Sequence, residues 1–124
     1  MRKTELSEEE QKKFSWLMEA KTKNEDVEIK DGVLIWRNGF WLNGEWWNGL
    51  WLNGTWCDGL WRNGTWFEGI WWNGEWLNGS WRNGSWRNGL WLNGLWLNGL
   101  MWSNIKQKFV KVKQENGIFK EIDE

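Results

Sequence analysis

The sequence predicts an all-β chain wound from short, near-identical sides, and two observations carry that reading. From Trp36 to Leu100 the unit Trp-x-Asn-Gly-x runs thirteen times without a break in register, beginning Trp36-Arg37-Asn38-Gly39-Phe40 and ending Trp96-Leu97-Asn98-Gly99-Leu100. Trp opens every unit and Gly is fourth in every unit, while Asn is third except where Asp58 and Glu68 stand. A fixed period marks a repeat architecture, in which no single unit can bury its own apolar face. The second observation is the glycine itself. In a helix it would cost about 1 kcal/mol per unit relative to Ala, whereas Asn-Gly is at ease in a bend.

Composition follows from the unit. The 124 residues, enough for one domain, include 17 Trp, no Tyr, no His, no Pro and one Cys. Net charge is −1, which recommends neither a polyanion nor an anionic membrane as partner. Residues 1–31 carry seven Lys/Arg and nine Asp/Glu, and the repeats carry four of each. Neither block is a tail of one sign. Cys57 has no partner in the chain, so no internal disulfide forms. It reads as a thiol tolerated at a variable position. The sequence shows neither a signal peptide nor an apolar run of membrane-spanning length, and a reducing cytoplasmic setting is expected.

Taken in order, residues 1–5 read as a frayed terminus. Ser7 with Glu10 forms a capping-box pattern, preceded by Leu6. Phe14, Leu17 and Met18 follow at helical spacing, predicting a helix over about 8–22 that lids one end of the repeat core. Trp16 lies off this stripe, and the pattern gives no role for it. Residues 21–26 read as a connector. Val27-Glu28-Ile29, the turn pair Asp31-Gly32 and Val33-Leu34-Ile35 predict a β-hairpin leading into Trp36. Phe109 to Lys113, Asn116-Gly117 and Ile118-Phe119 predict another at the far flank. Exposed ends of a repeat core need atypical caps. The expected organisation is a helix-and-hairpin cap over 1–35, repeats over 36–100 and a hairpin cap over 101–124.

Two architectures accommodate a bend every five residues. In one, each unit is one side of a square coil, and four units make a turn of about 20 residues. With Trp as a large inward residue and the Gly two places before it as a small one, the pattern resembles the pentapeptide-repeat family. That resemblance implies a quadrilateral β-solenoid. The family favours Asp or Asn just before the central residue, whereas here Asn lies two residues after Trp. The alternative is an antiparallel β-meander of short strands joined by Asn-Gly turns. In the solenoid reading, Trp36, Trp41, Trp46, Trp51, Trp56, Trp61, Trp66, Trp71, Trp76, Trp81, Trp86, Trp91 and Trp96 form the core.

The residue before each Trp position alternates apolar and polar with period ten: Phe40, Leu50, Leu60, Ile70, Leu90 and Leu100 interleave with Glu45, Thr55, Thr65, Glu75 and Ser85, with Ser80 and Leu95 as the exceptions. On a four-sided coil this gathers Trp47, Leu50, Phe67, Ile70 and Leu90 into one outward apolar strip, the predicted partner-binding surface. The competing reading is that the caps fold over that strip within one chain.

Catalytic chemistry is not apparent. Without His, Ser-His and Cys-His pairs and His-ligated metal sites are excluded, and Glu45, Asp58, Glu68 and Glu75 have no paired spacing. No cofactor, metal, nucleic-acid or membrane partner is expected. The expectation is a non-enzymatic structural or protein-interaction module, a homo-oligomer joined through the strip. Two other readings remain. The Trp and Asn-Gly texture resembles choline- and cell-wall-binding repeats, implying a glycan or quaternary-ammonium ligand for Trp47 and Trp72. Resemblance to the pentapeptide-repeat family also implies DNA mimicry, which needs an acidic face that four acids balanced by Arg37, Arg62, Arg82 and Arg87 do not supply.

Overall fold

A computed structural model describes residues 1–122. Within the repeats, each unit pairs in parallel with the unit fifteen residues earlier. Ile35 and Trp36 lie beside Leu50 and Trp51, Phe40 and Trp41 beside Thr55 and Trp56, and Glu45 and Trp46 beside Leu60 and Trp61. The chain is therefore a β-solenoid whose coils have three sides. The expected four-sided, quadrilateral coil is corrected, and parallel pairing excludes the antiparallel meander. Filling explains the difference. A triangle encloses less than half the area of a square of the same edge. Three indoles fill it edge to face, whereas four indoles with four glycines would leave the centre of a square empty.

Strand β2 (Val33–Asn43) turns a corner and so begins two faces. The first face continues through β4 (Leu50–Trp51), β7 (Thr65–Trp66), β10 (Ser80–Trp81) and β13 (Leu95–Trp96). The second runs through β5 (Thr55–Trp56), β8 (Ile70–Trp71), β11 (Ser85–Trp86) and β14 (Leu100–Ser103). The third stacks β3 (Glu45–Trp46), β6 (Leu60–Trp61), β9 (Glu75–Trp76) and β12 (Leu90–Trp91). Two hydrogen bonds per side tie successive coils. The Arg62 N–H donates to the Trp46 carbonyl at 2.8 Å, and the Leu60 N–H donates to the Gly44 carbonyl at 3.0 Å.

The corners explain the glycine. Gly74, at φ +124°, occupies backbone space that L side chains rarely adopt, and a Cβ there would lie 2.3 Å from the Gly59 carbonyl oxygen. Glycine therefore answers first to the backbone of the previous coil. Room for an indole is secondary: Trp56 Nε1 would be 3.2 Å from the same Cβ. The Asn side chain closes the corner by another route, as at Asn48, whose Oδ1 accepts the Gly49 N–H at 2.9 Å.

Inside, successive Trp rings meet edge to face with centroids 5.7–5.9 Å apart. Rings fifteen residues apart stack nearly parallel at 4.6–5.1 Å. That stacking distance matches the spacing of neighbouring strands, so backbone ladder and aromatic column share one repeat. All the repeat Trp residues are buried except Trp91, which is partly buried at the C-terminal end. Trp46, Trp56 and Trp71 donate their indole N–H to the carbonyls of Asn63, Asn73 and Asn88, each at 3.1 Å. Eight other buried indole N–H groups have no hydrogen-bond partner among the described residues.

The N-terminal cap differs from its sequence reading. In place of one helix over 8–22 there are α1 (Glu8–Lys13) and α2 (Ser15–Glu19), broken at Phe14, with β1 (Lys21–Lys30) starting where a connector was expected. The break turns Trp16 rather than Met18 inward, and Trp16 covers Trp46 at 5.2 Å and Trp41 at 6.5 Å. The terminus is tied down rather than frayed, since the Met1 ammonium pairs with Asp26 and donates to the Val27 carbonyl at 3.0 Å. β1 pairs antiparallel with β2 across the Asp31-Gly32 turn. At the other end β15 (Lys108–Glu115) adds to β14, and β16 (Ile118–Glu121) returns along β15 through Asn116-Gly117.

Candidate functional site

Outward-facing side chains form columns along each face. The strip expected of Trp47, Leu50, Phe67, Ile70 and Leu90 does not exist, because a fifteen-residue coil distributes these residues over all three faces. Leu50 and Phe67 belong to the first, Ile70 to the second, and Trp47 and Leu90 to the third. Period ten laid on a fifteen-residue coil instead alternates apolar and polar residues up the second and third faces, while the first reads Ile35, Leu50, Thr65, Ser80, Leu95. On the second face the column reads Phe40, Thr55, Ile70, Ser85, Leu100. On the third it reads Glu45, Leu60, Glu75, Leu90. On these two faces apolar neighbours are thus kept apart, as are the two glutamates.

The residues following Trp pair along the same columns. Arg62 lies over the Trp47 ring at 4.9 Å, Arg82 over Phe67 at 5.2 Å, and Arg87 over Trp102 at 4.2 Å. Each pair is separated by fifteen residues, and that shared spacing was a readable sign of three-sided coils that the sequence reading missed. Arg62 also pairs with Glu45 at 3.4 Å. Such guanidinium–ring contacts cover Trp47, Phe67 and Trp102, while Trp72, on the second face, is 47% exposed.

The last coil is the most apolar on its outside. Leu90, Leu92, Leu95 and Leu97 are each more than half exposed and Leu100 is 37% exposed. The coil before offers Glu75, Leu77, Ser80, Arg82 and Ser85 at the corresponding places, four of the five polar or charged. Closure of the end is uneven. On the second face β15 supplies a full strand. On the first face the Gln114 side chain substitutes for one: its Oε1 accepts the Trp96 N–H at 3.0 Å and its Nε2 donates to the Gly94 carbonyl at 3.1 Å. On the third face β12 ends its sheet without a further strand among the described residues, and from the cap Phe119 meets Trp91 edge-on at 5.5 Å.

Grooves elsewhere are shallow. One of about 260 Å³ at the N-terminal end is lined by Trp16, Glu19, Glu45 and Trp47 among others. Among the described residues no group of three or more Asp, Glu, Cys or His gathers as metal ligands, and no helix is long and apolar enough to cross a membrane. Burial raises the pKa of the Cys57 thiol, with the Asp58 carboxylate adding to it, so this thiol is less reactive than a free one. Fold and surface together define a capped, Trp-cored, three-sided β-solenoid. Comparison with protein-family models, curated proteins and solved structures finds no match to this chain.

Proposed function

We infer that the chain is a non-enzymatic structural and protein-interaction module, and that it self-associates through its last coil. The observation that carries this reading is the belt of exposed leucines at positions 90, 92, 95, 97 and 100, where the coil before has Leu77 as its one apolar residue beside Glu75, Ser80, Arg82 and Ser85. Contiguous exposed apolar surface on a folded domain marks a contact site. The occupant is a second copy, because β12 presents an open sheet edge beside Leu90 and Leu92, and an edge that pairs with its own equivalent makes a closed two-fold contact. Five-residue sides with one large inward residue support a relation to pentapeptide-repeat solenoids, although three sides rather than four close each coil. A reducing, cytoplasmic setting belongs to the same proposal and is supported by the single thiol.

Molar mass by light scattering behind size exclusion, over a range of concentrations, tests the reading. The expected result is a species of twice 15.0 kDa that reverts to monomer when Leu92→Glu and Leu97→Glu are combined. A monomer at every concentration overturns self-association, and an assembly indifferent to both substitutions overturns the last coil as its surface.

A further inference from the structure

Asn-Gly is the dipeptide in which backbone attack on the carboxamide is least hindered, since glycine brings no side chain to the closing ring. This chain holds eleven such pairs at solenoid corners and a twelfth at the tip of the C-terminal hairpin. We propose that Asn116 is a site of spontaneous covalent modification in the native protein, deamidation to aspartate or isoaspartate, and that the fold shields the corner asparagines Asn73 and Asn88.

The reaction is balanced with water alone. The Gly117 backbone nitrogen, having lost its proton to hydroxide, attacks Cγ of Asn116. A C–N bond forms, the Cγ–Nδ2 bond breaks, and the nitrogen leaves as ammonia. Water then opens the five-membered imide at either carbonyl, adding one negative charge. Ring closure requires the peptide plane between the two residues to swing toward the side chain, so whatever pins that plane slows the reaction.

At the corners it is pinned repeatedly. The Asn73 carbonyl accepts the Trp56 indole N–H at 3.1 Å, and the Gly74 carbonyl accepts the Leu90 N–H at 2.9 Å. The Asn73 carboxamide is itself held, its Oδ1 accepting from Asn88 Nδ2 at 3.4 Å. Gly74 also sits close against the previous coil, where even a Cβ would lie 2.3 Å from the Gly59 carbonyl oxygen. Asn88 has the matching indole bond from Trp71. Asn116, exposed as Asn73 and Asn88 are, has none of this: no side-chain hydrogen bond holds it among the described residues, and nothing lies within 4 Å of a Cβ built on Gly117. Each corner hydrogen bond that must open is worth roughly a fivefold factor in rate, so three slow the reaction by about a hundredfold.

The consequence falls on the cap. Aspartate is compatible with this turn, since Asp31 occupies the same left-handed position in the other hairpin, at φ 52° against 53° for Asn116. Isoaspartate inserts a methylene into a two-residue turn, in the hairpin that carries Phe119 onto Trp91 and Trp96.

The experiment incubates the folded protein in ¹⁸O-labelled water at mildly alkaline pH and maps the label by chymotryptic peptides, beside a sample unfolded in urea. In the folded protein the label is expected at Asn116 and at least tenfold less at Asn73 and Asn88. In urea it is expected at all the Asn-Gly pairs at similar rates. Label at Asn73 or Asn88 within threefold of Asn116 in the folded state overturns the proposal. So does an absence of label at Asn116 in the folded state when the urea sample carries it.

Discussion

Glu25 is a buried carboxylate in a chain otherwise cored by indoles. Only 3% of it is exposed, yet it accepts hydrogen bonds from Arg2 Nε at 2.9 Å, Thr22 Oγ1 at 2.8 Å and the Lys3 N–H at 3.1 Å. Burial pushes its pKa up, but these donors outweigh it and hold the carboxyl below its ordinary value. A group whose pKa is lowered by folding stabilises the fold above its unfolded value, about 4.3 for Glu. That contribution is lost as pH falls through the lower folded value. Thermal melts of the wild type are therefore expected to weaken as pH drops below about 4.5. Glu25→Gln should already melt lower at neutral pH, by about 1–3 kcal/mol, and should lose that part of the acid dependence. Equal acid slopes for both proteins would remove Glu25 from the account. Gly74 makes the complementary case for backbone. Gly74→Ala sets a Cβ in forbidden φ space and against the Gly59 carbonyl, which should cost about 3–5 kcal/mol, and Gly74→Val should unfold the chain. Near-UV circular dichroism reads both outcomes through the stacked indoles.

The caps are the elements least like the repeats and the least legible in the sequence. Both hairpins could be read from Asp31-Gly32 and Asn116-Gly117, because two-residue turns with positive φ have few other sequences. The helical cap could not, since apolar spacing favoured Met18 and gave no hint that the chain would break at Phe14 and aim Trp16 at the column end. That choice depends on a tertiary surface, the open Trp41 and Trp46 rings, that no local pattern encodes. Gln114 was invisible for the same reason, being a polar residue in a strand until the Trp96 N–H and Gly94 carbonyl give it a purpose. Phe119 closes the C-terminal end by meeting Trp91 and Trp96 edge-on at 5.5 and 5.3 Å. Phe119→Ala should cost about 2–3 kcal/mol, less than a fully buried ring because Phe119 is only partly covered. The loss should be local. Hydrogen exchange is expected to quicken at Leu97 and Leu100 while the amides of Leu52 and Cys57, in the first coils, keep their protection. Uniform quickening along the chain would mean that the solenoid opens as one unit and that its caps do not act independently.

For the whole molecule, the central question is how many sides close a coil, because that number assigns every outward residue to its neighbours. Period and inward Trp were legible from the unit alone; the number of sides was not, since it is set by how indoles fill a cross-section rather than by any residue within the repeat. The error propagated to the surface, where a four-sided coil joins Phe67 to Trp47 and a three-sided coil joins Phe67 to Arg82. The native thiol can report the difference. Cys57 lies on the second face beside Leu42, one fifteen-residue coil earlier, with Trp41 and Trp56 paired between them. A four-sided coil would set Cys57 beside Leu77 instead. In Leu42→Cys, adjacent in-register strands bring the two α-carbons to about 4.8 Å, inside the range a disulfide spans. Mild oxidation should then form an intrachain bond, while Leu77→Cys stays reduced in the monomer. Because burial and Asp58 raise the Cys57 thiol pKa, oxidation should quicken as the solution is made more alkaline. Ready closure in Leu77→Cys with none in Leu42→Cys would restore the square coil, and with it the apolar strip that the triangular coil divides among three faces.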